Sequence, residues 1–338
     1  MSAMSRVFVI AEAGVNHNGD LVRALAMVDA AAEAGADAVK FQTFSAARLV
    51  TRDAAKAPYQ GETTGKAESQ HDMLARLELS VDDHHSLLAR SRERGIVFMS
   101  AAFDPESLTF LAGLGIDRVK VPSGELTDVP YLRAVARVGL PVLLSTGMAT
   151  LDEVRSALAT LDVAGLDRSM VTVLQCTTEY PTPPDEVNLR AMVTMRDELG
   201  VRVGFSDHTR GIHIPAAAVA LGAEVIEKHF TLDRSLPGPD HRASLEPEEF
   251  AEMVRVIRDV ELALGDGVKR PSRGEIDNAV AARKSIVAAR EIAAGERFTA
   301  ENLTVKRPGS GISPERWDEI VGRPATRGYH PDDPIEVG

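Results

Sequence analysis

"VRVGFSDHTRGIHIPAAAVALGAEVIEKHF", residues 201–230, sets two short apolar runs, VRVGF and AEVI, on either side of a helix-length stretch. Neither run alternates apolar with polar residues. Such runs suit strands of a parallel sheet, which helices cover on both faces. Each run also ends in acid and imidazole: Asp207–His208 in the first and Glu227–Lys228–His229 in the second.

Working outward, the same unit recurs. VFVIAE (7–12), ADAVKFQT (36–43), GIVFMSAAF (95–103), RVKVPSGE (118–125), PVLLSTG (141–147) and VTVLQCTT (171–178) are further Val/Ile-rich runs. Segments with helical apolar spacing lie between them, such as LVRALAMVDAAAEAG (21–35) and VPYLRAVARVG (129–139), and several stop at a glycine. Glycine is the usual residue just past a helix end. Eight strands alternating with helices predict a closed (β/α)8 TIM barrel, whose usual span is about 250 residues. A doubly wound open sheet is the structural alternative. Segment 44–79 interrupts the rhythm with polar KAPYQGETTGKAESQ and reads as a long excursion after the second strand. Long loops in compact domains are often functional. The barrel is expected over residues 1–264, a polar linker over 265–282, and a small separate domain with short strands and Gly-containing turns over 283–338.

The 338 residues carry a formal charge of −12, which disfavours non-specific nucleic-acid binding. Cys176 is the only cysteine, so any metal must rest on His, Asp or Glu. A lone thiol fits a reducing cytoplasm. The N-terminal apolar stretch is interrupted early by Glu12, and no run reaches membrane-spanning length, so neither a signal peptide nor a membrane partner is expected.

In a (β/α)8 barrel the strand C-termini open onto one mouth, where chemistry concentrates. The strand ends here are Glu12; Lys40, Gln42 and Thr43; Ser100; Lys120, Ser123 and Glu125; Ser145 and Thr146; Thr177, Thr178 and Tyr180; Ser206, Asp207 and His208; Glu227, Lys228 and His229. His208 and His229 would end adjacent strands and hold one divalent metal with oxygen ligands and water, or each would simply bond a loop carbonyl. Lys40 and Lys120, with Ser145 and Ser206, suggest a carboxylate or phosphate site; the alternative pairs the lysines with Glu12 or Glu125. Glu12, Glu125 and Glu227 are either general acids and bases or neutralising partners. RSLPGPDHRAS (234–244) would fix Asp240 and His241 near the mouth or be a plain solvated loop. No dinucleotide or Walker-type phosphate loop is present.

IAEAGVNHNGD, AVKFQTF, VKVPSGE, LLSTGMAT, EYPTP, GFSDHT, VIEKHFTLDRSLPGPDHRASLEP and VKRPGSGIS appear in this order over nearly the whole chain. In these motifs the chain resembles the sialic acid synthase family, of the bacterial N-acetylneuraminate synthase type. The resemblance implies a TIM barrel with a C-terminal antifreeze-like (SAF) domain. It implies an enzyme that condenses phosphoenolpyruvate with an N-acylated mannosamine-type sugar, N-acetylmannosamine first, to give a nine-carbon 2-keto acid and phosphate. By the same resemblance, His208 and His229 bind Mn2+, with Mg2+ or Co2+ as alternatives. Lys40, Gln42, Lys120, Ser123, Ser145 and Ser206 hold phosphoenolpyruvate, and Glu125, Tyr180, Asp240 and Arg307 contact the sugar. Glu12 and Glu227 are the acids of the first and eighth strands. The protein is then expected to be a domain-swapped homodimer.

Two departures stand out. Ala101 replaces the threonine of the family's STPFD, removing a hydroxyl beside phosphoenolpyruvate, and Thr178 replaces an asparagine two residues before Tyr180, which bears on the sugar accepted. Synthases for legionaminic or pseudaminic acid precursors, or for a 6-phosphorylated mannosamine, are the nearest rivals. A non-catalytic sugar-binding or regulatory protein is the rival of another class.

Overall fold

The computed structural model describes residues 6–65 and 68–337. Contacts divide the chain into Met1–Asp266 and Gly267–Gly338.

The first unit is a (β/α)8 barrel. Its strands are β1 (Phe8–Gly14), β2 (Ala38–Thr43), β3 (Val97–Ala102), β4 (Val119–Val121), β5 (Val142–Ser145), β6 (Val171–Cys176), β7 (Arg202–Asp207) and β8 (Val225–His229). They pair in parallel in that order, and β8 closes onto β1 with Glu12 opposite His229. Outward-facing residues such as Val9, Phe41, Val121 and Ile226 join the helices in one large core. The helix Val129–Val138 stops at Gly139, whose φ of +72° is a left-handed conformation that glycine adopts without steric cost. No helix among the described residues is long and apolar enough to cross a membrane.

The excursion after β2 is more structured than its polar sequence suggests. It holds three short helices, Ala46–Leu49, Pro58–Thr64 and Gln70–Ala75. Its sparse apolar residues bury together: Ala46, Met73, Leu74 and Leu77 join Val15 and Phe44 in a cluster separate from the barrel core. Lys56 ties the segment together, with Nζ 2.9 Å from Thr64 Oγ1, 3.0 Å from the Gly65 carbonyl and 2.9 Å from Glu68 Oε1.

The stretch read as a linker contains a helix, Arg273–Ala282. In the second unit β9 (Ser285–Ala288) pairs antiparallel with β10 (Leu303–Lys306) over a small core of Ile286, Ile292, Phe298, Leu303 and Tyr329.

Candidate functional site

Alternate residues of each barrel strand point inward, so the interior is built in layers. The lowest is apolar: Ile10, Ala38, Met99, Leu143, Leu174 and Val225. Two residues further along the same strands, Glu12, Lys40, Ala101, Ser145, Cys176 and Glu227 line a cavity of about 310 Å3, which Lys120 and Ser206 also line. One step higher, Gln42, His208 and His229 line its upper part. The intervening strand-end residues face the helices instead. Thr43 bonds Ser100 Oγ at 2.6 Å and His84 Nε2 at 2.7 Å, and Lys228 meets Asp207 at 2.6 Å with both side chains fully buried.

Four charges lie at the cavity floor. Lys40 Nζ is 2.6 Å from Glu12 Oε2 and 3.6 Å from Glu227 Oε2, while Lys120 Nζ is 3.6 Å from Glu227 Oε1. Lys120 donates to Ser145 Oγ at 2.8 Å, and Ser206 Oγ donates to Glu227 Oε1 at 2.9 Å. The pairing of Lys40 with Glu12 was one of the two sequence readings of that lysine. Burial raises the Glu12 carboxyl to about 7 against the pull of Lys40. Burial also pushes Glu227 upward, but Lys120, Lys40 and Ser206 outweigh it and hold that carboxyl below its ordinary range. Burial pulls the Lys120 ammonium down. Glu227 Oε2 is buried without a hydrogen-bond donor.

Above the charges, the rings of His208 and His229 lie 5.1 Å apart. His208 Nδ1 donates to the Thr177 carbonyl at 2.5 Å, which leaves its Nε2 lone pair uncommitted. His229 Nδ1 is buried with no partner, and burial, reinforced by the nearby lysine charges, keeps this imidazole well below its usual pKa. A neutral ring with an orphaned nitrogen, beside a second imidazole whose Nδ1 is committed to a carbonyl, fits a divalent cation. Among the described residues no group of three or more His, Cys, Asp or Glu side chains is placed to hold a metal, so an ion on these two rings would need water or substrate oxygens as its other ligands.

Tyr180 packs its ring 4.1 Å from His208 and 5.4 Å from His229. Asp240, from the loop after β8, is buried in the same wall, and burial lifts it to about 6 against the nearby charge of Lys40. On the opposite side the turn Ser123–Glu125 brings Glu125, raised to about 7 by burial and by the charges of Asp128 and Asp104. Gly147 N donates to Ser123 Oγ at 3.0 Å. A Cβ on Gly147 would lie 2.7 Å from Thr178 Cγ2, so only glycine allows this close approach.

Every residue that the resemblance assigned to phosphoenolpyruvate, the sugar, the metal or the two strand-end acids lines this cavity except Arg307, which is exposed in the second unit; of the other residues expected near the mouth, Thr43 and Ser100 bond each other behind the strands and His241 is buried against Thr231. Sequence reasoning missed Tyr59, which stacks on Tyr180 at 4.8 Å, and the apolar side of the cavity, both supplied by the excursion. The only signal for them was the excursion's length. It also grouped Asp207 and Lys228 with the mouth, although strand alternation turns both away from it.

Residues 27–269 match the model of the NeuB family and residues 283–336 that of the SAF domain. The chain is 49% identical to N,N'-diacetyllegionaminic acid synthase of Campylobacter jejuni, over 98% of this chain and 99% of that protein. It is 38% identical to human N-acetylneuraminate-9-phosphate synthase, over 97% and 91% of the two chains. Among solved structures, the sialic acid synthetase of Leptospira borgpetersenii in complex with citrate aligns with a TM-score of 0.71 at 34% identity, covering 81% of this chain and 90% of that one.

Proposed function

The chain belongs to the NeuB family and is a nonulosonate synthase; from that premise we propose that it condenses phosphoenolpyruvate with the open-chain form of a mannosamine-type sugar carrying two acetamido groups, to give a legionaminic-acid-type product. The sequence alone put N-acetylmannosamine first and such modified sugars second, and the 49% identity to a diacetyllegionaminic acid synthase supports the reverse order. Phosphoenolpyruvate brings three carbons and no nitrogen. Both amides of a diacetyl product must therefore enter with the sugar.

The observation that carries the reaction class is that two buried ammonium groups and two imidazoles share one cavity. Phosphoenolpyruvate is a compact anion, and Lys40 and Lys120 meet it already withdrawn from water, where charge-assisted contacts are strongest. Ser145, Ser206, Ser123 and Gln42 supply hydroxyl and amide partners around them. Ala101 gives no hydroxyl there, and the pocket retains the others. A divalent ion on His208 and His229, Mn2+ first, would supply Lewis-acid polarisation of the sugar aldehyde. Tyr180 and Asp240 orient the sugar, and Arg307 is proposed as a further sugar contact in a domain-swapped homodimer.

The methylene carbon of phosphoenolpyruvate attacks the aldehyde carbon, and the aldehyde oxygen takes a proton as the C–C bond forms. Glu125 is the carboxyl suited to give it, because it is raised to about 7 and, unlike Glu12, is not paired with a lysine. Water then adds to the phosphate-bearing carbon and loses a proton, and C–O cleavage expels phosphate to leave the ketone.

Phosphate release from phosphoenolpyruvate is measured with N-acetylmannosamine, its 6-phosphate and the diacetamido sugar, with and without Mn2+. The diacetamido sugar is expected to give the highest kcat/KM. Phosphate release that no sugar stimulates refutes the synthase chemistry.

A further inference from the structure

The cavity has two chemically different sides. The strand ends supply lysines, glutamates and imidazoles, whereas the excursion supplies Leu49, Val50, Met73, Leu74 and Leu77, set against Phe103 just after β3. Leu49, Val50 and Phe103 remain half-buried, and the other three are buried in the excursion's own small cluster. Apolar side chains left partly open to water at a catalytic mouth gain free energy when a ligand covers them. Two carboxamides edge this wall. Gln60 Oε1 accepts from Ala57 N at 3.0 Å and from Gln70 Nε2 at 3.3 Å. Among the described residues no donor approaches Gln70 Oε1, and both side chains line the cavity. A primary carboxamide offers a donor and an acceptor side by side, matching the N–H and C=O of a secondary amide.

We infer that the wall built by residues 44–79 receives the sugar's second acylamino group, its methyl against Leu49, Val50 and Phe103 and its amide against Gln60 and Gln70. This rests on the proposed diacylated substrate and adds which residues select it. On the charged side the strand ends offer a methyl group only the Ala101 side chain and the Tyr180 ring beside the histidines. The excursion is thereby a specificity element, and its apolar residues bury in a small cluster distinct from the large barrel core.

Leu49→Asn, Val50→Asn and Gln70→Leu are compared with wild type on the diacetamido sugar and on N-acetylmannosamine. Apolar pockets discriminate by about 10–200-fold. Each variant is expected to lose kcat/KM for the diacetamido sugar by that order, while N-acetylmannosamine and the KM for phosphoenolpyruvate change by less than about threefold. Equal losses on both sugars, or no loss on either, overturn the assignment of the wall. Wild type that does not prefer the diacetamido sugar overturns the substrate reading instead. If the asparagine variants lose the circular dichroism of the folded protein, Gln70→Leu, which alters only a side chain at the cavity edge, decides.

Discussion

Asp207→Ala tests whether the mouth is held in shape from behind. Asp207 and Lys228 lie between the cavity-facing residues of β7 and β8, their charged atoms 2.6 Å apart and fully buried. Asp207 also accepts from Thr209 N at 2.8 Å, and Lys228 donates to the Thr209 carbonyl. Removing the carboxylate strands an ammonium group in the layer between barrel and helices. Breaking one partner of such a pair typically costs about 3–5 kcal/mol. With an unfolding entropy of about 2.1 cal/mol/K per residue, the unit Met1–Asp266 has about 0.56 kcal/mol/K. The expected fall in Tm is then about 5–9 °C, read by thermal denaturation near neutral pH. Burial already lowers the Lys228 pKa with its partner present. Without Asp207 the folded pKa drops further below the unfolded value, so the unfolded chain binds more protons and stability recovers as pH rises. The loss of Tm should therefore shrink at alkaline pH. The double variant Asp207→Leu/Lys228→Met, which removes both charges, is expected to regain most of the stability. A drop below about 2 °C in Asp207→Ala, or a double variant no more stable than the single one, would refute the reasoning.

The floor and rim of the cavity give further expectations. Lys40→Met and Lys120→Met should each raise the KM for phosphoenolpyruvate about 10- to 150-fold, the equivalent of about 1.5–3 kcal/mol for a charged hydrogen bond, with the sugar KM little changed; a selective loss of sugar affinity counts against the anion site. His208→Ala or His229→Ala should abolish turnover while preserving the circular dichroism spectrum, and chelation of wild type should mimic them; activity that survives both treatments removes the metal. Glu125→Gln should lower kcat by about 10²–10⁴-fold. Because the donor must be protonated and its carboxyl sits at about 7, wild-type activity should fall as pH rises through that value, and the same fall persisting in the variant's residual activity clears Glu125 of the role. Arg307→Ala should raise the sugar KM and spare that of phosphoenolpyruvate, and mixing it with His208→Ala should restore activity after subunit exchange if the dimer is swapped.

The barrel was legible in the chain because its signal is local. Apolar runs such as VRVGF and AEVI, spaced by helices that stop at glycines, follow from burial on both sheet faces, and their polar ends mark the mouth because all eight strands run the same way. The same locality explains why His208, His229, Lys40 and Lys120 stood out before any contact was known. What depended on tertiary structure is whatever distant residues decide. Strand alternation sends Glu227 inward and Lys228 outward, but only barrel closure brings Glu12 opposite His229 and gives Lys40 both Glu12 and Glu227 as neighbours. Glu125 and Glu227 look alike in sequence; burial away from lysines lifts one, and two ammonium groups hold the other down. The excursion's Tyr59 and apolar wall were hidden for a related reason, since their few apolar residues acquire a common face only when helices more than twenty residues apart in the chain, Ala46–Leu49 and Gln70–Ala75, fold against Phe103.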